Sequence, residues 1–298
     1  MINIKKYAAI DIGSNAVRLL IMDVLEKEKN NVKFKKSALV RVPIRLGEDT
    51  FVDGKISEKK IIRLIDAMNA FQLLMSVHGV ETYKACATSA MRDASNGTYV
   101  IDRILKKTGI KIDIIEGKIE AKIIAATDLG DLLDTNSSYL YVDVGGGSTE
   151  MTIYKKGKIS ESKSFKMGTV RMLNQKDQLK EEWNDMKNWV KKHTKGIHNI
   201  SLIGSGGNIN KIYKMSGRTD DSPLSYIYMK ANYKYLKTMS YEERISELNL
   251  NIDRADVIIP ATKIYVSAMK WSVAKRIYVP KIGLSDGIVK SLYAGIIE

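Results

Sequence analysis

Apolar residues crowd positions 7–24, YAAIDIGSNAVRLLIMDV, in two runs broken by Gly13-Ser14-Asn15. That punctuation predicts strand, tight turn and strand. A partly alternating stretch over 32–44 predicts a third strand. Over 57–79 the period lengthens: Ile61, Leu64, Ile65, Met68, Phe71 and Met75 recur at helical spacing, with Ser57 placed to cap the start and Gly79 to end it. A short strand over 81–90, a helix over 97–108 stopped by Gly109, a strand over 110–117 and a helix beginning in 118–130 follow.

The pattern then restarts. SSYLYVDVGGGSTEMTIYKKGKI, residues 137–159, again reads strand, glycine-rich turn, strand. Asp11 and Asp143 hold the same place in the two units, each two residues before a glycine and 132 residues apart. A helix over 178–195 comes next, then a strand, the turn GSGGN at 204–208 and a helix. Residues 251–274 are helix-rich around Pro260, and 276–296 give a last strand, a glycine-bounded turn and a final helix. Two halves with a common sheet-and-helix core are expected, with a cleft between them that carries the two turns. The expected boundary puts 1–123 in one domain and 124–298 in the other, with the last helix packing back on the first.

A chain of 298 residues is long enough for two such cores. It holds no apolar run of about 18 residues, so no membrane helix is expected. Its first residues turn charged too early for a signal peptide. One cysteine, Cys86, and three scattered histidines disfavour disulfides and zinc. A cytoplasmic protein is expected. The net charge of +14, from 48 Lys+Arg against 34 Asp+Glu, favours polyanionic partners. Basic and acidic residues interleave, no nucleic-acid-binding signature appears, and no specific nucleic acid or membrane partner is expected.

Glycines between two strands let bare backbone N–H groups converge on one spot, where no Cβ blocks a phosphate oxygen. Ser148 and Thr149 add hydroxyl donors. An acid at the end of the first strand cannot bind an anion directly but can hold a hydrated Mg²⁺ that bridges to it. Asp11 and Asp143 are therefore metal-side candidates, and the two turns candidates for phosphate. A plain hairpin turn is the alternative for either loop alone. GSGGN opens a helix, whose N-terminus attracts anions.

The motifs AAIDIGSNAVRLLI, IRLGE, ATSAMRDASN, IEGKIEAKII, YVDVGGGSTE, GSGGN, RADVIIPA and GLSDG occur in the order found in one family. Through them the chain resembles the exopolyphosphatase/guanosine pentaphosphate phosphohydrolase (Ppx/GppA) phosphatases, in their short two-domain form. The resemblance implies an α/β fold of two ribonuclease-H-like domains of the actin-like (sugar kinase/hsp70/actin) superfamily. It implies Mg²⁺-dependent hydrolysis of a terminal phosphoanhydride, in inorganic polyphosphate or in guanosine pentaphosphate (pppGpp), by a homodimer. Carried over by position, Glu120 is the catalytic glutamate and Arg92 faces the phosphate. Gly13, Ser14 and Asn15 match the first phosphate loop. Gly145, Gly146, Gly147 and Ser148 match the second. Gly206 and Gly207, at the GSGGN helix entry, are further candidates for phosphate by their place at a helix N-terminus. Asp11, Asp143 and Glu150 are metal-side acids, Glu150 being a candidate for orienting water as well.

Ile119, Lys122 and Glu116 depart from the family's usual glutamate, arginine and serine. A phosphoanhydride already has a good leaving group, so the protein has only to place a water in line and spread the growing charge. Glu120, in the first turn of its helix, is placed to stay ionised and accept a proton from that water. Arg92 is suited to bidentate phosphate binding. Arg18 and Arg45 are weaker candidates, and Lys191, Lys192 and Lys195 are candidates for guiding a polyanion. Two alternatives remain open: a degenerate, non-catalytic polyphosphate or alarmone binder, and a small-molecule kinase of the same superfamily.

Overall fold

The computed structural model describes residues 2–27, 31–125, 134, 136–175, 179–219 and 221–297. The chain divides into two compact units, residues 1–127 with 284–298, and residues 128–283.

In the first unit β1 (Asn3–Ile12), β2 (Val17–Lys27) and β3 (Asn31–Val42) form an antiparallel meander. Then come α1 (Leu46–Asp53) and α2 (Glu58–His78), and β4 (Thr82–Ala87) lies parallel to β1. The short α3 (Ser89–Asp93) and α4 (Gly97–Thr108) lead to β5 (Ile112–Ile114), parallel to β4, and to α5 (Gly117–Ala125). The sheet order is β3-β2-β1-β4-β5.

Helix α2 buries Ile61, Leu64, Met68, Phe71 and Met75 on one face, and Gly79 ends it by donating its N–H to the Met75 and Ser76 carbonyls. Ser57 takes the N-cap position, yet its side chain makes no capping bond. The helix expected from residue 118 is α5. Its continuation over 126–130 lies outside the described residues. Helix α1 is not foreshadowed by the apolar pattern, because LGEDTFVD offers only Leu46 and Phe51 as large buried side chains.

The second unit repeats the plan. β6 (Ser138–Val144), β7 (Thr149–Lys155) and β8 (Lys158–Phe165) form an antiparallel meander, followed by α6 (Thr169–Asn174) and α7 (Lys180–Thr194). β9 (Ser201–Ser205) is parallel to β6 and runs into α8 (Gly207–Met215). After β10 (Leu224–Ser225) come α9 (Tyr226–Thr238), α10 (Tyr241–Ser246), α11 (Ile252–Ala255) and α12 (Ile258–Ser272). β11 (Arg276–Tyr278) pairs parallel to β9 and antiparallel to β10. The order is β10-β11-β9-β6-β7-β8, which is the first sheet's order with one extra edge strand. Both sheets thus have the ribonuclease-H-like arrangement.

Helix α12 is the spine of this core, with Ile258, Ala261, Ile264, Tyr265, Ala268 and Met269 fully buried. Pro260 sits in its first turn, where a missing N–H leaves no intrahelical bond unmade.

The last helix, α13 (Leu284–Tyr293), belongs to the first unit and packs on β1, β2, β4 and α5. Lys36 of β3 pairs with its buried Asp286 at 2.7 Å. A Cβ on Gly287 would stand 2.3 Å from the Ile123 carbonyl oxygen, so only glycine lets α13 approach α5 this closely.

Candidate active site

The β1–β2 turn closes by Gly13 N–H to Ala16 O at 3.1 Å, and the β6–β7 turn by Gly145 N–H to Ser148 O at 3.0 Å. The two are the same turn built twice. In each, the following chain ties down the turn's carbonyls. Gly47 N–H donates to Ser14 O at 2.8 Å and Arg45 N–H to Asn15 O at 3.0 Å. Thr169 N–H donates to Gly145 O at 3.0 Å, and Val170 and Arg171 N–H donate to Gly146 O at 2.8 and 3.1 Å. The guanidinium of buried Arg171 donates to Gly147 O at 2.9 Å. With its carbonyls bound from behind, the second turn keeps the N–H groups of Gly146, Gly147 and Ser148, which donate to no other described residue. Turn N–H groups left over in this way suit an anion.

Gly168 sets how closely α6 backs that turn. A Cβ there would lie 2.4 Å from backbone atoms of both Gly146 and Gly147. Thr149 pins the same corner through its hydroxyl to the Met167 carbonyl.

Asp143 and Glu150 stand directly opposite each other across β6 and β7, with Ser205 of β9 level with Asp143 on the other side. Directly opposite residues of an antiparallel pair share one face. Glu150 is buried and accepts the Ser164 hydroxyl at 2.9 Å. Gly206 has φ +109°, and a Cβ there would meet Asp143 Oδ1 at 3.2 Å and Val144 O at 3.3 Å. Glycine is needed for both reasons, and it brings the start of α8 against Asp143. Tyr141 and Tyr265, both buried, feel the same carboxylate: burial first and then the Asp143 charge push their phenols well above the ordinary value. Tyr265 donates its hydroxyl to the Ser205 carbonyl.

The equivalent face of the first unit is wired differently. Arg18 occupies the register position opposite Asp11 that Glu150 occupies opposite Asp143, and it pairs with Asp11 at 2.7 Å. Arg41 continues the row on β3. The first turn is held by Ser14 Oγ, 3.0 Å from Ser89 Oγ, and by Thr88 N–H to Ile12 O at 3.1 Å.

Glu120 lies buried in the first turn of α5, while its neighbour Ile119 is exposed. Arg92, on α3, donates to the Ile115 carbonyl at 2.6 Å and so grips the segment that enters α5. Cys86, level with Asp11 on β4, reports the local field: burial, with the charges of Asp11, Asp113 and Glu120 and against that of Lys84, raises its thiol to about 12. Such a thiol is no nucleophile at neutral pH.

Gly13, Ser14, Asn15, Asp11, Arg92 and Glu120 therefore belong to the first unit. Asp143, Gly145–Ser148, Glu150, Gly206 and Gly207 are brought together in the second. Arg45 is drawn into an ion pair with Glu48 at 2.5 Å, and Lys191, Lys192 and Lys195 are exposed on or just after α7. Sequence reasoning missed Gly168, Arg171, Ser89 and Ser164. Gly168 alone had a local signal, a glycine punctuating a strand-to-helix junction. No group of three or more His, Cys, Asp or Glu arranged to hold a metal occurs among the described residues. No helix among them is long and apolar enough to cross a membrane.

Two ribonuclease-H-like units, each with a glycine-type turn backed by a helix, define a two-domain α/β protein. Residues 24–294 match the sequence model of the Ppx/GppA phosphatase family, and the chain belongs to that family. It is 35% identical over 220 residues to the bifunctional 3-dehydroquinate synthase/phosphatase of Fusobacterium nucleatum, over 67% of this chain and 32% of that protein. It is 29% identical over 175 residues to exopolyphosphatase 2 of Mycobacterium tuberculosis, over 56% of this chain and 53% of that one. The matches thus span about a third to a half of these curated relatives. The crystal structure of an exopolyphosphatase from Cytophaga hutchinsonii superposes with a TM-score of 0.83 at 23% identity, over 98% of each chain, and shares the fold.

Proposed function

We propose that this protein hydrolyses the terminal phosphoanhydride of inorganic polyphosphate, releasing orthophosphate. The observation that carries this reading is the second turn, whose carbonyls are tied back while the amides of Gly146, Gly147 and Ser148 are kept for an anion. Membership of the Ppx/GppA phosphatases and the exopolyphosphatase names of its relatives support polyphosphate as the substrate.

In this reading the second turn and the Gly206-Gly207 helix entry hold the terminal phosphate. Glu120 accepts a proton from water as its oxygen bonds to phosphorus, and the bridging oxygen leaves with the shortened chain. Arg92 acts mainly by fixing the entry to α5, which sets where Glu120 stands. The donor set suits Mg²⁺ at Asp143 and Glu150, since this ion takes one or two protein carboxylates and completes its shell with water and substrate phosphate. Asp11, which meets Arg18 where Asp143 meets Glu150, is the weaker ligand. When bound, Mg²⁺ would neutralise phosphate charge as the anhydride breaks.

The test is orthophosphate release from tripolyphosphate, long-chain polyphosphate and pppGpp. Release from polyphosphate with Mg²⁺, abolished by EDTA and restored by added Mg²⁺, is expected. Polyphosphate binding without release would identify a binder, the outcome that Ile119, Lys122 and Glu116 keep open. Release from pppGpp alone would move the substrate to the nucleotide.

A further inference from the structure

Helix α8 begins at Gly207 and carries cations along the face that starts there. The Arg254 guanidinium lies over Gly207: a Cβ on that glycine would be 3.0 Å from Nη2, and Nη1 donates to Gly207 O at 3.3 Å. Lys211 is one helical turn further on, where i and i+4 side chains are neighbours. It is half-buried and its Nζ donates to the Asn249 carbonyl at 3.2 Å. Lys214 follows at i+3 and is exposed. These three charges feel one another, for after burial it is Lys214 and Arg254 that hold the Lys211 ammonium below its ordinary pKa. Like charges held this close cost stability unless an anion joins them. Arg254 has Asp253 and Asp256 beside it in sequence, so the two lysines carry the distinguishing charge.

We infer that Lys211 and Lys214, beside Arg254, form an extension subsite for the internal phosphates of a polyphosphate chain whose end lies at Gly206-Gly207. The inference rests on reading those glycines as a phosphate site. From Gly207 to Lys214 the helix rises about 10 Å, so the lysines lie beyond the phosphate at the glycines and a longer chain engages them more fully. The consequence is a chain-length preference written into α8.

The test measures binding of tripolyphosphate and of long-chain inorganic polyphosphate by calorimetry, at two salt concentrations with Mg²⁺ present. The proteins are the full chain and its variants Lys211→Met and Lys214→Glu. Each variant is expected to bind long chains about tenfold more weakly, with a shallower salt dependence, and tripolyphosphate within about twofold of wild type. Lys214 is exposed, so its variant keeps the fold even if Lys211→Met disturbs the Asn249 contact. Unchanged long-chain affinity in both variants would overturn the subsite, as would an equal loss for short and long chains. Phosphate release is recorded separately. Wild type that binds long chains but releases no phosphate contradicts the hydrolytic reading, and the binding arms then still decide this one.

Discussion

Glu120→Gln is expected to lower the turnover of polyphosphate by about 10²–10⁴-fold, the range typical of losing a general base. The reason is local. Glu120 is buried in the first turn of α5, and glutamine keeps its shape but cannot take a proton. Polyphosphate affinity and the thermal unfolding midpoint should stay near wild type, because the amide fills the same space. Steady-state kinetics with a parallel binding isotherm separate the two effects. Near wild-type kcat in this variant would remove Glu120 from the role, and a matching loss of affinity would make it a binding residue instead.

The second large effect is expected at a residue that carries no chemistry. Gly168 has extended backbone, φ −129°, which any residue adopts, so its need for glycine is one of packing. In Gly168→Ala the added methyl would sit 2.4 Å from the backbone of Gly146 and Gly147, closer than real Cβ contacts come. The turn must shift. Overpacking of this kind costs about 1–3 kcal/mol of stability. A displacement near 1 Å at a positioning element costs about 10²-fold in kcat/KM. Thermal unfolding and kcat/KM should therefore both fall, the second by more than the stability loss explains. Gly283→Ala is the control, since a Cβ there meets nothing within 4 Å. A Gly168→Ala protein with normal kcat/KM would show that the second turn does not hold substrate.

Much of the fold was legible because the apolar periods are clean. The α2 face from Ile61 to Met75 and both glycine-bounded hairpins stand where the pattern puts them. Helix α1 was not, because half of its residues are polar and only Leu46 and Phe51 bury large apolar side chains. In the site, the glycines and acids announced themselves by position along the chain. Their partners did not. Arg171 reaches Gly147 from 24 residues away, and Arg18 meets Asp11 only through strand register. The sequence repeat made Asp11 and Asp143 look equivalent. The residue across the hairpin, arginine in one unit and glutamate in the other, is what distinguishes them.

The account depends most on the backbone of one turn, and its amides can be watched directly. In ¹⁵N-labelled protein titrated with Mg²⁺ and tripolyphosphate, the Gly146, Gly147 and Ser148 resonances should move more than those of any other turn in the second unit, and saturate with the ligand. If these three stayed still while tripolyphosphate bound and shifted amides elsewhere, the turn would not be the phosphate grip and the proposed chemistry would lose its footing.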